Sequence, residues 1–180
     1  MPVPFVDLHR QYLSIKEEVD SAIAKVIAKS SFVRGPQVER FEAGFAKLIG
    51  VERCVSCANG TDALYIAMKA LSVGSGDEVI TTAHSWISTS ETITQAGARV
   101  VFCDTEKAHF TIDPTKIEAL ITPKTKGIIP VHLYGQPADM DPILEIAKRH
   151  GLWVIEDCAQ SHLSTYKGRL TGTLGTAATY

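Results

Sequence analysis

Two carboxylates close a short apolar run in Leu152 to Ser161, LWVIEDCAQS. Leu152-Trp153-Val154-Ile155 has the composition of a strand buried on both faces of a parallel sheet. Glu156 and Asp157 stop it, and Cys158-Ala159-Gln160 follow. Ligands of open α/β sheets sit beyond the carboxyl ends of the strands. An acid at that depth needs a cationic or hydrogen-bonding partner. Asp157 therefore either caps the next turn, pairs with a nearby Lys or Arg, or meets a ligand. Glu156, one residue earlier, points to the opposite side of the strand and reads as structural.

Other groups with chemical potential precede it. Ala58-Asn59-Gly60-Thr61 reads as a turn opening a helix, where free N–H groups bind anions and Gly60 admits a phosphate to the backbone. The plainer reading is an Asn-Gly turn with Thr61 or Asp62 as a cap. Trp86, flanked by His84, Ser85 and Ser88, could stack on a planar ligand or fill the core. His132 and Tyr134 could line a pocket or bond across their loop. Neither G-x-G-x-x-G nor G-x-x-x-x-G-K-[ST] occurs, which argues against a dinucleotide or P-loop triphosphate. Taken together, an anion site, an aromatic face and a strand-end acid describe a holder for pyridoxal phosphate. Phosphate would lie on Gly60 and Thr61, and the ring on Trp86. Asp157 would pair with the protonated pyridine nitrogen, and Gln160 with the ring hydroxyl.

The elements that must position these residues follow from periodicity. Apolar positions from Leu8 to Ile27 predict one helix over 8–29, and a second is expected over 37–48, ending at Gly50. Both precede any strand and are expected outside the main sheet. Strands are then predicted at 54–58, 78–81, 99–103, 126–131 and 153–155. They alternate with helices at 61–71, 86–96, 114–120 and 142–150. That alternation implies a mostly parallel sheet with right-handed crossovers. Residues 164–180 read as a turn and short strands, and Ala177 to Tyr180 as the middle of one. The chain is accordingly expected to stop inside its domain.

A length of 180 residues suits one domain, and a net charge of −2 points to neither nucleic acid nor an anionic membrane. No apolar run reaches the ~20 residues of a membrane span. No signal peptide is visible, so a cytoplasmic location is expected. Of the four cysteines, Cys54 and Cys57 form a C-x-x-C. They fall in an expected strand rather than at a helix start, so small buried thiols are expected.

The segments CANGTDAL (57–64), GDEVITTAHSWISTSETI (76–93), KGIIPVHLYGQPADMDPI (126–143) and VIEDCAQSHLSTYKGR (154–169) resemble the DegT/DnrJ/EryC1/StrS family. FVDL (5–8) and GPQVERFE (35–42) are similar to family sequence too. The resemblance implies a three-layer α/β/α fold with a mostly parallel sheet. This is the pyridoxal-phosphate fold type I, aspartate-aminotransferase-like, truncated before its small C-terminal domain. Residues 1–50 would form an N-terminal helical segment and 51–180 the first part of the large cofactor-binding domain. It implies phosphate contacts at Gly60 and Thr61, ring stacking on Trp86 and a pyridine-nitrogen partner in Asp157. Gln160 would meet the ring hydroxyl, and Ser88 or Thr89 would lie near the cofactor. It further implies transfer of an amino group from L-glutamate to a nucleotide-linked keto sugar, by a homodimer with active sites at its interface. AQSHLSTYKGR is more similar to members acting at C3 than at C4. The family's Schiff-base lysine has no counterpart here, since Lys124, Lys126 and Lys167 do not match the motif. The 180-residue chain alone is therefore expected to be inactive and poorly soluble. Two rivals remain: a sugar dehydratase of the same family, and a non-catalytic cofactor-binding protein.

Overall fold

Five short strands lie side by side in the order β2-β1-β3-β4-β7, every neighbouring pair parallel. They are β1 (Glu78–Thr82), β2 (Arg99–Cys103), β3 (Thr125–Ile129), β4 (Trp153–Asp157) and β7 (Ala177–Thr179). A two-residue antiparallel hairpin, β5 (Thr165–Tyr166) with β6 (Arg169–Leu170), stands apart from this sheet. The hairpin turns through Lys167 and Gly168, both at positive φ, which matches the right-handed twist of its strands. The helices are α1 (Leu8–Ser14), α2 (Lys16–Ala28), α3 (Pro36–Ile49), α4 (Gly60–Ala70), α5 (Ile87–Gln95), α6 (Pro114–Ile117) and α7 (Met140–His150). The structure is a computed structural model and describes residues 3–180.

Strand side chains alternate between two cores, as a period of two requires. Val79, Ile129 and Ile155 pack with Leu64 and Met68 of α4 and Ile93 of α5. Ile80, Ile128 and Val154 pack with Ile117 of α6 and Met140, Ile143 and Ile146 of α7. The sheet is thus the middle of three layers. Ile80, Ile128, Ile129 and Ile155 have no exposed surface, and truncating any of them to Ala would cost about 2–5 kcal/mol. Gly127 has a packing reason: a Cβ there would stand 2.1 Å from the Trp153 ring. Among the described residues, no helix is long and apolar enough to cross a membrane.

The expected βα alternation is present from β1 to β4, with ends within two residues of those predicted except at α6, which stops at Ile117 and passes into a 3₁₀ turn over Glu118–Leu120. Two expectations fail. Residues 54–58 form no strand. Strand-like residues need a ladder, and this segment has none. Ser56 instead sends both its N–H and its hydroxyl to Glu42 Oε1, at 2.9 and 2.7 Å. Cys57 is consequently exposed rather than buried, while Cys103 and Cys158 are buried as expected, and all four thiols are free. The single helix over 8–29 is two helices. Ile15 leaves helical geometry at φ −124°, and its N–H bonds to Tyr12 O. Neither α1 nor α2 contains a buried residue.

Candidate active site

Alternation along β4 sends Asp157 to the α4/α5 side, with Ile155, and Glu156 to the α6/α7 side, with Val154. The Asp157 backbone is clamped to the end of β3. Its N–H donates to Pro130 O, and its carbonyl accepts from His132 N, each at 3.0 Å. Its carboxylate receives two protein donors: Thr89 Oγ1 on Oδ2 at 2.9 Å and Ala159 N on Oδ1 at 3.2 Å. Burial pushes the carboxyl pKa above its ordinary value, with the Thr89 and Ala159 bonds opposing that rise. An ionised carboxylate has about four acceptor sites, so capacity remains on the cleft side.

The start of α4 faces the same cleft. Asn59 caps it, its Oδ1 accepting from Asp62 N at 2.9 Å. The N–H groups of Gly60 and Thr61 lie in the first turn, where no intrahelical acceptor exists. Gly60 is not in a left-handed conformation, so the turn itself does not demand glycine. A Cβ there would sit 3.4 Å from Tyr180 O. Thr61 Oγ1 and Ser88 Oγ meet at 2.8 Å, placing two hydroxyls beside those N–H groups. Trp86 is the N-cap residue of α5, extended at φ −64° and ψ 146°, which starts that helix at Ile87. At 73 % exposure its ring is no core residue.

Gln160 is oriented by the backbone of Tyr134, whose N–H donates to Gln160 Oε1 at 2.7 Å. Only oxygen can accept there, so the amide NH₂ is the end left to donate elsewhere. Tyr134 itself is held in the left-handed region at φ 57°. Gly60, Thr61, Trp86, Ser88, Asp157 and Gln160 all line one cleft. A wider hollow lies outside α5 and β2, against Ile87, Val100 and Phe102. Its polar lining, Ser90, Glu91, Thr94 and Gln95, comes from the outer face of α5 and includes no buried acid.

Glu156 occupies a different setting. Its Oε1 accepts from Leu174 N and Gly175 N, both at 2.7 Å, and its Oε2 from Gly172 N and His132 Nε2, both at 2.9 Å. Burial works against its charge, but His132 and the three N–H groups hold its carboxyl below the ordinary value. His132 Nδ1 accepts from Ala138 N at 3.1 Å, so Nε2 carries the proton donated to Glu156. His132 is fully buried in this arrangement and fastens a loop rather than lining the cleft. His132, Glu156 and Cys158 bring potential ligand atoms within 4.8 Å of one another. The imidazole and carboxylate are already committed to internal bonds, so the cluster is read as a polar core.

The sequence placed Thr89 only near the site and missed its bond to Asp157. The available signal was the pair Thr89 and Thr92, hydroxyls three residues apart on one helical face; both are buried. The lysines lie elsewhere. Lys167 pairs with Asp141 on the hairpin side. Lys124 and Lys126 sit at the start of β3, away from the carboxyl edge, with Lys126 3.8 Å from Asp77.

Comparison with known proteins is consistent along the chain. The model of the DegT/DnrJ/EryC1/StrS aminotransferase family matches residues 13–180. A pleiotropic regulatory protein of Geobacillus stearothermophilus is 49% identical over 180 residues, 100% of this chain and 48% of that protein. The UDP-2-acetamido-2-deoxy-3-oxo-D-glucuronate aminotransferase of Pseudomonas aeruginosa is 46% identical over 176 residues, 98% of this chain and 49% of that protein. The structure of DesV from S. venezuelae, in complex with a ketimine intermediate, superposes with a TM-score of 0.92 at 43% identity. That match covers 94% of this chain and 46% of DesV. The chain spans about half the length of the curated relatives it matches.

Proposed function

This chain belongs to the DegT/DnrJ/EryC1/StrS aminotransferase family, and from that premise we propose that the full-length protein is a pyridoxal-phosphate-dependent sugar-nucleotide aminotransferase. The observation that carries this reading is the convergence of Gly60, Thr61, Trp86, Ser88, Asp157 and Gln160 on one cleft, with Asp157 buried in it. The donor set fits the cofactor. The first N–H groups of α4, with the Thr61 and Ser88 hydroxyls beside them, suit a phosphate. The remaining acceptor capacity of Asp157 suits a pyridinium N–H, and the free amide NH₂ of Gln160 suits a ring hydroxyl. Trp86 offers a flat apolar face above them. When bound, pyridoxal phosphate supplies an electron sink for a carbanion.

The residues divide the work. Gly60, Thr61 and Ser88 hold the phosphate. Trp86 fixes the plane of the ring and shields one side of it from water. Asp157 holds a proton on the pyridine nitrogen, and Gln160 orients the ring hydroxyl. Proton transfer at the reacting carbon falls to a lysine that the 180 residues do not supply in the matching place. The amino donor is L-glutamate and the acceptor a nucleotide-linked keto sugar. A 3-keto sugar is preferred on the likeness of AQSHLSTYKGR, in keeping with the 3-oxo sugar in the name of the P. aeruginosa relative. A homodimer is supported by the apolar surface left on α1, α2 and α3, where Leu13, Ile23, Ile27 and Phe41 are exposed.

The test supplies the full-length protein with pyridoxal phosphate, L-glutamate and UDP- or dTDP-linked 3-keto and 4-keto sugars. Formation of 2-oxoglutarate with an amino sugar, located at C3 by NMR, is expected. Absence of 2-oxoglutarate with every sugar would sink the transaminase reading. The relative named as a regulatory protein favours one alternative, a regulator that binds the cofactor without turnover. Cofactor binding without 2-oxoglutarate release would support it. A deoxygenated rather than aminated product would indicate the dehydratase.

A further inference from the structure

We propose that Thr89, backed by Ser85, is a positioning residue that keeps Asp157 ionised and aimed at the ring nitrogen of the bound cofactor. This rests on the cofactor reading above and adds to it the group that controls the protonation of its acid.

Thr89 Oγ1 lies 2.9 Å from Asp157 Oδ2 and 3.1 Å from Ser85 Oγ. A hydroxyl has one proton to give. An ionised carboxylate only accepts, so Thr89 gives its proton to Asp157 and must accept from Ser85. The chain therefore runs one way: Ser85 to Thr89 to Asp157. Position supports the direction, since Ser85 stands at the loop end and is partly exposed, whereas Thr89 and Asp157 are buried at 2 % and 5 % exposure. Ser85 immediately precedes Trp86, the N-cap of α5, and Thr89 lies in the helix's first turn, so the helix start holds the two hydroxyls together beside β4.

The other direct donor to Asp157 is the backbone N–H of Ala159, 3.2 Å from Oδ1. The lining of the cleft contains no titratable side chain besides Asp157 and Tyr180, and α4, α5 and the loop before α5 present hydroxyls to it: Thr61, Ser88, Thr89 and Ser85. His132 acts on Asp157 only at longer range, and is hydrogen-bonded to Glu156. Cys158, with its thiol pushed up to about 12 by burial, stays neutral. Burial drives Asp157 toward its neutral form, and the Thr89 bond is the leading influence against it. A neutral Asp157 would not stabilise a pyridinium proton.

The test uses the full-length protein loaded with pyridoxamine phosphate labelled with ¹⁵N in the ring, whose shift reports protonation of that nitrogen across a pH titration. In the unmodified protein the nitrogen should stay protonated well above neutral pH. In Thr89→Val, which keeps the shape and removes the donor, its apparent pKa should fall by about one unit, a tenfold change in the protonation equilibrium. Thr89→Ser should restore it, a rescue that packing alone would not give. Ser85→Ala, at a partly exposed position, should shift it in the same direction by less. That variant keeps the test standing if Thr89→Val fails to fold. Identical titrations in the unmodified, Thr89→Val and Ser85→Ala proteins would overturn the inference while leaving the cofactor site intact. Failure of the unmodified protein to bind the labelled cofactor would instead overturn the cofactor reading.

Discussion

Glu156 and Asp157 are adjacent, equally charged and both buried, yet the two sides of β4 treat them oppositely. On the α6/α7 side, Glu156 receives four donors from its own chain and its pKa falls. On the α4/α5 side, Asp157 receives two donors, faces a cleft, and its pKa rises. Burial alone does not decide the role of a carboxylate. A group whose acceptor sites are filled by its own chain fastens the fold. One left with acceptor capacity toward a cleft is available to a ligand.

The sharpest way to break this contrast is through stability. Glu156→Ala strands three backbone N–H groups and His132, and should destabilise the full-length protein by about 3–5 kcal/mol. Asp157→Ala in the cofactor-free protein should cost far less, since it also removes a desolvated charge. Urea unfolding of both variants checks this, and equal losses would erase the distinction. Next in size is the effect on activity. Asp157→Asn keeps the shape and should lower turnover by about 10²–10³-fold. Cofactor affinity should change much less, because Gly60 and Thr61 still hold the phosphate. Steady-state rates and cofactor titration separate the two, and near-normal turnover would show that Asp157 is misassigned.

The smallest effect is pH dependence, and the two groups should oppose each other. Glu156 has a lowered folded pKa. Its contribution is present above its unfolded value of about 4.3 and is lost as pH falls through the lower folded value. Asp157 has a raised folded pKa. Its contribution is present below about 3.9 and is lost as pH rises through the higher folded value. Thermal melts of cofactor-free Glu156→Gln and Asp157→Asn, each compared with the unmodified protein, should show differences of opposite slope against pH in acid. Slopes of the same sign would contradict the geometry.

Much of this contrast was legible in the sequence. Apolar runs alternating with helical periods located the sheet, and the period of two along β4 already put Glu156 and Asp157 on opposite sides. Gly60, Thr61, Trp86, Asp157 and Gln160 stand at strand-end and helix-start positions that one sheet edge must gather, whereas a place for Ser88 beside them came only with the family resemblance. What was not legible depended on partners distant in sequence. The residues of 54–58 carry strand character but find Glu42 in place of a ladder. Ile15 breaks a continuous apolar stripe for reasons of local geometry that periodicity does not register. Thr89 reads as an ordinary helical threonine until β4 is packed against it 68 residues later. The orientation of Gln160 depends on a single N–H of Tyr134, in a left-handed conformation that no glycine or asparagine signalled.

The central claim is that the α4/α5 side of the β4 end is a pyridoxal-phosphate site, and a structure of the full-length protein with pyridoxamine phosphate tests it most directly. The ring nitrogen should lie about 2.7–3.0 Å from an Asp157 carboxylate oxygen, with the phosphate on the N–H groups of Gly60 and Thr61. A cofactor bound with no atom within hydrogen-bond reach of Asp157, or seated on the Glu156 side of the strand, would contradict it.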